Sequence, residues 1–230
     1  MLKINLLLFK IKNFFIIFKS RILKKKINLE FKKSKEDFEN FISSKEFSQK
    51  WFLNNFEIFS YHLPKDLNAS FSYLEIGSYE GLSALSILHK YKNSKVTTID
   101  LWDHSNINSE SLNANFIEVE KTFNKNLKEY NFNKIKDDSV VALRKLLKKK
   151  LSYDFIYIDG AHNGEDILSD AIESYKLLNI NGILFFDDIV NANKNISIQS
   201  YTGFEKFIEI YKKNLKILYL KNIGIVKKIK

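Results

Sequence analysis

The 230-residue sequence contains no cysteine, which excludes disulfide bridges, thiolate metal ligands and cysteine nucleophiles. Proline occurs once, as Pro64, so no motif with consecutive prolines is present. Glycine is also rare, and two of the seven glycines, Gly77 and Gly81, fall in one short stretch. Hydrophobic residues nevertheless make up 45% of the chain and aromatic residues 14%. Length and composition therefore predict one folded domain with an appendage.

Long uncharged apolar runs are missing from the N-terminal region. In residues 1–26, lysines alternate with apolar clusters, so no uncharged stretch approaches the roughly 20 residues that a membrane-spanning helix needs. Lys10 and Lys12 also interrupt any signal-peptide core. Three interpretations stay open for this segment: a helix on an anionic membrane surface, an arm packed on the domain or on a second copy, or a disordered extension.

Positive charge is concentrated in the same segment. Residues 1–26 carry eight basic residues and no acid, which leaves only +2 of the net charge of +10 for the rest of the chain. Because the body is nearly neutral, we do not expect a nucleic-acid partner. We expect a cytoplasmic protein, with peripheral contact at the inner membrane surface or self-association through residues 1–26 as alternatives.

Two helices are predicted between this tail and the first strand. Residues 34–37, Ser-Lys-Glu-Asp, resemble a capping box that begins a helix. A second helix over residues 45–61 carries an aromatic stripe, which we interpret as core, with a roof over a ligand site as the alternative. The stripe consists of Phe47, Trp51, Phe52, Phe56 and Phe59. The predicted organisation is thus a tail (1–33), N-terminal helices (34–69) and the main domain (70–230).

The centre of the chain is a predicted strand, turn and helix. Residues 71–76 form an apolar run, Gly77 and Gly81 mark the turn, and a helix begins near Leu82. Such a turn aims backbone N–H groups at one spot, which suits an anion or a polar cofactor. The dinucleotide pattern G-x-G-x-x-G is not met, and an acid, Glu75, precedes the first glycine by two positions.

The next two strands end in polar residues. Residues 95–100 end on Asp100, and a carboxylate at that position in a doubly wound sheet accepts hydrogen bonds from cofactor ribose hydroxyls. A surface acid at a strand end is the plainer interpretation, and Trp102 is placed in the same pocket. Asp138 and Ser139 follow a weak third strand over residues 132–136, either as adenine contacts or as a helix N-cap.

Two later strands each end in acids. An apolar run over residues 153–159 ends on Asp159, and a second run over residues 183–188 ends on Asp187 and Asp188. Carboxyl ends of adjacent parallel strands share one edge of a sheet, so these carboxylates are expected to meet there. Close carboxylates repel one another unless a cation joins them or some of them hold protons, and oxygen ligands suit Mg²⁺. Capping of the following loop is the alternative role for Asp187 or Asp188.

In chain order, these segments resemble methyltransferase family 24, a branch of the class I S-adenosylmethionine (SAM) methyltransferases. The resemblance rests on Leu-Glu-Ile-Gly-Ser-Tyr-Glu-Gly-Leu-Ser (74–83), Thr-Ile-Asp-Leu-Trp (98–102), Asp-Phe-Ile-Tyr-Ile-Asp-Gly-Ala-His (154–162) and Gly-Ile-Leu-Phe-Phe-Asp-Asp (182–188). It implies an α/β, Rossmann-like, doubly wound seven-stranded sheet with an antiparallel last strand, preceded by N-terminal helices. A middle glycine of the usual class motif is replaced by Tyr79.

The resemblance also implies site residues. Asp159, Asp187 and Asp188 would hold a divalent metal, Mg²⁺. Its SAM-binding positions map onto Glu75, Gly77, Ser78, Asp100 and Ser139, and the turn and strand ends described above add Gly81, Trp102 and Asp138 as cofactor-binding candidates.

The implied activity is methyl transfer from SAM to a hydroxyl of a small molecule, sugar or glycan, assisted by the metal. His162 and Asp159 are the catalytic candidates, with His162 as the base, and a ligand or structural role for His162 stays open. Residues 189–203 are interpreted as a polar loop over the substrate. A nucleic-acid methyltransferase or binder and a nonenzymatic SAM-binding, membrane-associated protein remain the alternative functions.

Overall fold

The computed structural model of the chain describes residues 2–103, 115–160, 163–189 and 197–230. Within them, a sheet of seven strands has helices on both faces. The strands are β1 (Ser72–Ile76), β2 (Lys95–Asp100), β3 (Asn133–Lys136), β4 (Tyr153–Ile158), β5 (Leu178–Phe186), β6 (Leu215–Leu220) and β7 (Gly224–Lys228). The helices are α1 (Leu2–Lys12), α2 (Phe14–Phe41), α3 (Phe56–Tyr61), α4 (Leu82–Lys90), α5 (Phe116–Leu127), α6 (Ser139–Lys148), α7 (Gly164–Leu177) and α8 (Ser197–Tyr211).

The strand order is β3-β2-β1-β4-β5-β7-β6. The first five strands of this order pair in parallel, whereas β7 pairs antiparallel with both β5 and β6. The order reverses between β1 and β4, where ligands bind in doubly wound sheets. The predicted architecture, including the antiparallel last strand, is confirmed.

Alternating side chains of each central strand enter two separate cores. In β1, Tyr73 faces the core built with α2, α3, α4 and α5, and Leu74 faces the core built with α6, α7 and α8. Both residues are fully buried, as expected for a parallel strand covered on both sides. Because helices cover both faces of the sheet, the residues that follow the parallel strands lie at its carboxyl edge.

The N-terminal segment is helical and packs on the domain. Phe9 of α1 is buried against Tyr201 of α8, with ring centroids 5.3 Å apart. The backbone N–H of Leu220 in β6 donates a 2.9 Å hydrogen bond to the hydroxyl of Ser20 in α2. Of the three interpretations of this segment, the packed arm is therefore observed. None of the helices in the described part of the chain combines the length and apolarity that a membrane crossing requires.

The predicted helix start at Ser34 is wrong. Helix α2 runs without a break from Phe14 to Phe41, because no glycine or proline interrupts it and Phe31 and Phe38 continue one buried face. The single helix predicted over residues 45–61 is also wrong. A short 3-10 turn, Trp51–Asn54, precedes α3 instead.

The aromatic stripe is mostly core, as expected. Phe52, Phe56 and Phe59 are buried under the sheet, and the Phe59 ring lies against Tyr157 and Phe185. At the C-terminal end, the loop interpretation of residues 189–203 is corrected, because α8 already begins at Ser197. Residues 190–196 lie outside the described residues.

Candidate functional site

A row of backbone hydrogen bonds holds the carboxyl edge of the sheet together. In each bond, the N–H group that follows one strand donates to the end of its neighbour. Asp159, Gly77 and Asp187 are thereby fixed beside one another, at the switch point of the sheet. The bonds are Asp137 N to Asp100 O at 3.2 Å, Gly77 N to Ile99 O at 2.9 Å, Asp159 N to Ile76 O at 2.9 Å and Asp187 N to Ile158 O at 3.0 Å.

The glycine turn between β1 and α4 leaves no room for side chains at its two ends. Gly77 has φ +82°, and a Cβ atom there would lie 2.1 Å from the carbonyl oxygen of Asp159. Gly81 has φ +84°, and its Cβ atom would lie 2.4 Å from Leu127 Cδ1. The left-handed backbone favours glycine at both positions, and at Gly77 the close approach of the backbone after β4 also requires it. No ligand is needed to explain either glycine.

Tyr79 occupies the middle of this turn with φ +47°, an uncommon conformation for a residue with a side chain. Its N–H donates a 2.8 Å hydrogen bond to Asp100 Oδ2, and its carbonyl oxygen accepts a 2.9 Å bond from the indole N–H of Trp102. Its hydroxyl lies 3.2 Å from that of Ser48, and its ring contacts Trp51. These contacts stabilise the turn where the class motif has a glycine.

Asp100 joins the end of β2 to the glycine turn. Oδ2 accepts from the N–H of Tyr79, and Oδ1 accepts a 2.9 Å bond from the N–H of Trp102. Burial raises the pKa of the Asp100 carboxyl, and these backbone donors oppose the shift. Backbone N–H groups of Ser78 and Leu101 also donate to this carboxylate, so the turn itself takes up much of its acceptor capacity, and a role of Asp100 towards ribose hydroxyls stays a prediction. Trp102 is buried and braces Tyr79.

Glu75 is fully buried two residues before Gly77. Its Oε2 accepts a 2.7 Å hydrogen bond from the hydroxyl of Tyr73. Burial raises the pKa of Glu75 to about 7, against the opposing effect of the neighbouring hydroxyls. Glu75 Oε1 and the hydroxyl of Ser78 are buried without a hydrogen bond of good geometry, although the Ser78 hydroxyl lies near enough to Glu75 to oppose the rise in its pKa. Because buried polar groups are nearly always paired, these atoms suit a polar ligand seated on the turn.

The end of β3 is linked to α7 through a buried acid. Asp138 caps α6, because its Oδ1 accepts a 3.0 Å bond from the N–H of Val141, so the capping alternative is observed. Ser139 faces Asp170, whose pKa burial raises to about 7 while the Ser139 hydroxyl opposes the shift. A Cβ atom on Gly160 would lie 3.7 Å from Asp170 Oδ2. The cofactor roles of Asp138 and Ser139 stay predictions.

The acids that follow β4 and β5 lie close together. Burial raises the pKa of Asp159 well above its usual value, and the charges of Asp187 and Asp188 raise it further. Burial and the charge of Asp188 likewise raise the pKa of Asp187. The side chains of Asp159 and Asp187 thus share one environment, as the strand pattern predicts.

Three protein groups hold the carboxylate of Asp187. The amide of Asn55 donates a 2.7 Å hydrogen bond to Oδ1, the N–H of Asp188 donates a 2.8 Å bond to the same oxygen, and the hydroxyl of Tyr157 donates to Oδ2. Asp188 follows with φ +50°. Across the ranges that the structure describes, no group of three or more acidic or histidine side chains has the arrangement of a metal cluster.

The predicted site and the described site differ at three residues. His162, the expected base, lies outside the described residues. Asn55 and Tyr157 were not predicted. Tyr157 stands two positions before Asp159 and therefore on the same face of β4, a signal that the sequence does contain. Asn55 is a buried amide among aromatic residues, but its partner is 132 positions away and has no local signal.

Comparisons with known proteins agree with this geometry. A family model described as a methyltransferase domain matches residues 74–189, about half of the chain. The match runs from β1 to the residues after β5 and so contains the glycine turn and all three carboxylates. No curated protein matches the chain.

Three solved structures resemble the fold. The MycE methyltransferase from the mycinamycin biosynthetic pathway, in complex with Mg and SAH, has a TM-score of 0.56 at 14% identity, covering 84% of this chain and 55% of that one. A Staphylococcus aureus protein provisionally described as a caffeoyl-CoA O-methyltransferase has a TM-score of 0.54 at 16% identity, covering 92% and 99%. An O-methyltransferase from Bacillus cereus in complex with SAH has a TM-score of 0.53 at 15% identity, covering 83% and 96%. This chain thus spans about half the length of MycE.

Proposed function

The chain belongs to methyltransferase family 24 and is a SAM-dependent methyltransferase, and from this premise we propose that it methylates a hydroxyl oxygen of a small molecule, sugar or glycan with the assistance of Mg²⁺. One observation carries the proposal. Asp159 and Asp187 follow the adjacent strands β4 and β5 beside the glycine turn after β1, and the charges of Asp187 and Asp188 raise the pKa of Asp159. Carboxylate oxygens are the ligands that hard cations such as Mg²⁺ prefer.

The donor site fits SAM in its chemistry. Glu75 Oε1 and the Ser78 hydroxyl lack a hydrogen bond of good geometry and are buried beside the turn, and a ligand with an amino group and a carboxylate would supply both partners. Asp100 stands at the end of β2, where an acid in a doubly wound sheet accepts hydrogen bonds from ribose hydroxyls. MycE and the Bacillus cereus O-methyltransferase were both solved with SAH.

The carboxylates of Asp159 and Asp187 also have the chemistry that a divalent cation needs. Close negative charges raise the pKa of Asp159, and a cation would relieve that repulsion. Oδ1 of Asp187 already accepts from Asn55 and from the N–H of Asp188, whereas Oδ2 accepts from Tyr157 and has a further lone pair for a metal. Partners of this kind commonly orient metal ligands. When bound, Mg²⁺ would lower the pKa of an acceptor hydroxyl. MycE was solved with Mg and also with Mycinamycin VI.

The transfer itself is an in-line displacement. The acceptor oxygen forms a bond to the methyl carbon, the carbon–sulfur bond of SAM breaks, and S-adenosylhomocysteine leaves with the electron pair. The hydroxyl proton goes to a base, for which His162 remains the predicted residue. Among the described residues, Asp159 and Asp187 orient the acceptor, and the glycine turn orients the donor.

The proposal is tested with the full chain and SAM labelled in its methyl group. Pools of hydroxylated small molecules, free sugars and glycosides are screened with Mg²⁺, with a chelator, and with Mg²⁺ restored. We expect label in a hydroxylated acceptor, loss in chelator and recovery with Mg²⁺. Asp187→Asn is assayed in the same way, and the exposed Asp66→Asn variant is its matched control. Full activity in chelator would refute the proposed role of the metal. Label found only in nucleic acid would refute a small molecule, sugar or glycan as the acceptor.

A further inference from the structure

Helix α2 has apolar side chains on two opposite faces. Ile27, Phe31 and Phe38 are buried against the domain. Phe18 and Ile22 are 51% and 58% exposed, and Leu29 is 81% exposed. With 3.6 residues per turn, the exposed residues lie on the side of the helix opposite the buried ones. The exposed face is therefore not an extension of the core.

The exposed apolar face continues into α1. We define the outer stripe as Leu7, Ile11, Phe14, Phe18, Ile22 and Leu29, each more than half exposed. Their spacings of three, four and seven residues keep them on one side along both helices. In α1, the neighbouring Phe9 is buried on the opposite side, against Tyr201. Contiguous exposed apolar surface of this kind marks an interaction site.

Polar contacts with the domain hold α1 and α2 in place, with the outer stripe facing away. The ammonium group of Lys12 lies 3.0 Å from the carboxylate of Glu205 in α8. Ser20 accepts the hydrogen bond from the N–H of Leu220 in β6. Both helices therefore hold their inner faces to the body and present the stripe outward.

Basic residues border the stripe on both sides. Arg21 and Lys25 project along one edge of α2 and Lys19 and Lys26 along the other, as the helical spacing requires, and all four are exposed. Residues 1–26 contain no acid that could neutralise them. An apolar stripe with a basic border is the pattern of helices that lie in the interface of an anionic membrane.

We propose that the outer stripe binds the surface of an anionic lipid bilayer, with its apolar side chains among the acyl chains and its basic border at the phosphate groups. A second copy of this chain would bring two segments of eight like charges together, which opposes association. Anionic lipid supplies the opposite charge and the apolar medium at once. The binding places a methyltransferase domain at a membrane surface, whatever its acceptor.

Sedimentation with vesicles tests the proposal on the full chain. We expect binding to vesicles containing phosphatidylglycerol, little binding to phosphatidylcholine alone, and weaker binding at high ionic strength. Phe18→Ser combined with Ile22→Ser should weaken binding by about tenfold, because two inserted apolar side chains are lost. The matched control is Ile117→Ser with Ile180→Ser, since both isoleucines are 65% exposed and lie outside the stripe.

Two outcomes would overturn the proposal. Equal vesicle binding by the stripe variant and the control variant would show that the stripe is not the contact. A dimer in light scattering that the stripe substitutions dissociate, without vesicle binding, would assign the surface to a second copy. Thermal unfolding of each variant confirms that a loss of binding is not a loss of fold.

Discussion

The amide of Asn55 donates a 2.7 Å hydrogen bond to the carboxylate of Asp187, although the two residues are 132 positions apart. Asn55 lies between the 3-10 turn and α3, and Asp187 follows β5. The N-terminal helices thereby contribute to the orientation of a predicted metal ligand. The aromatic stripe around Asn55 fixes this amide as well as filling the core.

We expect Asn55→Ala to lower methyl-transfer activity by roughly tenfold to a hundredfold, the usual cost of losing a partner that orients a metal ligand. SAM affinity should not change, because Asp187 is not a predicted donor-binding residue. Steady-state kinetics and calorimetry separate the two effects. The neighbouring Asn54 is exposed, so Asn54→Ala is the control. A parallel fall in SAM affinity would contradict this assignment.

Replacing Asp100 by alanine should weaken SAM binding by about tenfold to a hundredfold, the worth of charge-assisted hydrogen bonds to the ribose. The variant also frees the N–H groups of Tyr79 and Trp102, so the fluorescence of the free protein should shift. Calorimetry with SAM measures the affinity, and Asp66→Ala is the exposed control. Unchanged affinity in the Asp100 variant would remove its predicted role.

Gly77→Ala is expected to destabilise the fold by about 3 kcal/mol or more. The new Cβ atom would meet the Asp159 carbonyl oxygen at 2.1 Å, and alanine disfavours φ +82°. Gly160→Ala is the matched substitution, because its Cβ atom would lie 3.2 Å from a side-chain methyl group of Ile76, a much milder contact than 2.1 Å to backbone. Thermal unfolding should rank Gly77→Ala as much the more damaging change. Equal melting temperatures would refute the close approach of β1 and β4.

The buried carboxyl of Asp170 should make stability depend on pH. Its folded pKa of about 7 exceeds the unfolded value near 3.8, so the folded state binds the proton more tightly. Its contribution to stability therefore falls as pH rises from about 4 to about 7 and is constant above that. Asp170→Asn should gain stability at pH 8, on the order of 4 kcal/mol at most, and little at pH 4.

Denaturant unfolding at both pH values measures this difference. Glu165→Gln, an exposed acid near the start of the same helix, is the control and should show no such trend. A stability gain in Asp170→Asn that is the same at both pH values would show that packing or hydrogen bonding, rather than ionisation, sets the effect.

Much of the sheet could be predicted because its strands are short apolar runs that end in distinctive residues. β2 begins and ends at Lys95 and Asp100, as predicted, and the strand order follows from parallel pairing of such runs. The N-terminal region was harder. The pattern at Ser34 resembles a capping box, but a helix begins there only if the preceding residues are not helical, and they are.

The candidate site was partly predictable for a similar reason. The carboxylates of Asp159 and Asp187 follow adjacent strands, and the topology alone brings them together. The capping role of Asp138 follows from local spacing, whereas Asn55 and Asp170 depend on tertiary contacts that no local pattern records. Roles that depend on SAM, the metal or His162 remain predictions.

Tyr79 gives the glycine turn after β1 a connection that a glycine could not give. Its ring and hydroxyl reach Trp51 and Ser48, so the segment ahead of β1 is fastened to the turn through one side chain. Movement of either segment is therefore transmitted to the other. Because Trp51 is half exposed and its ring centroid lies 5.7 Å from that of Tyr79, its fluorescence offers an intrinsic signal for changes in the turn.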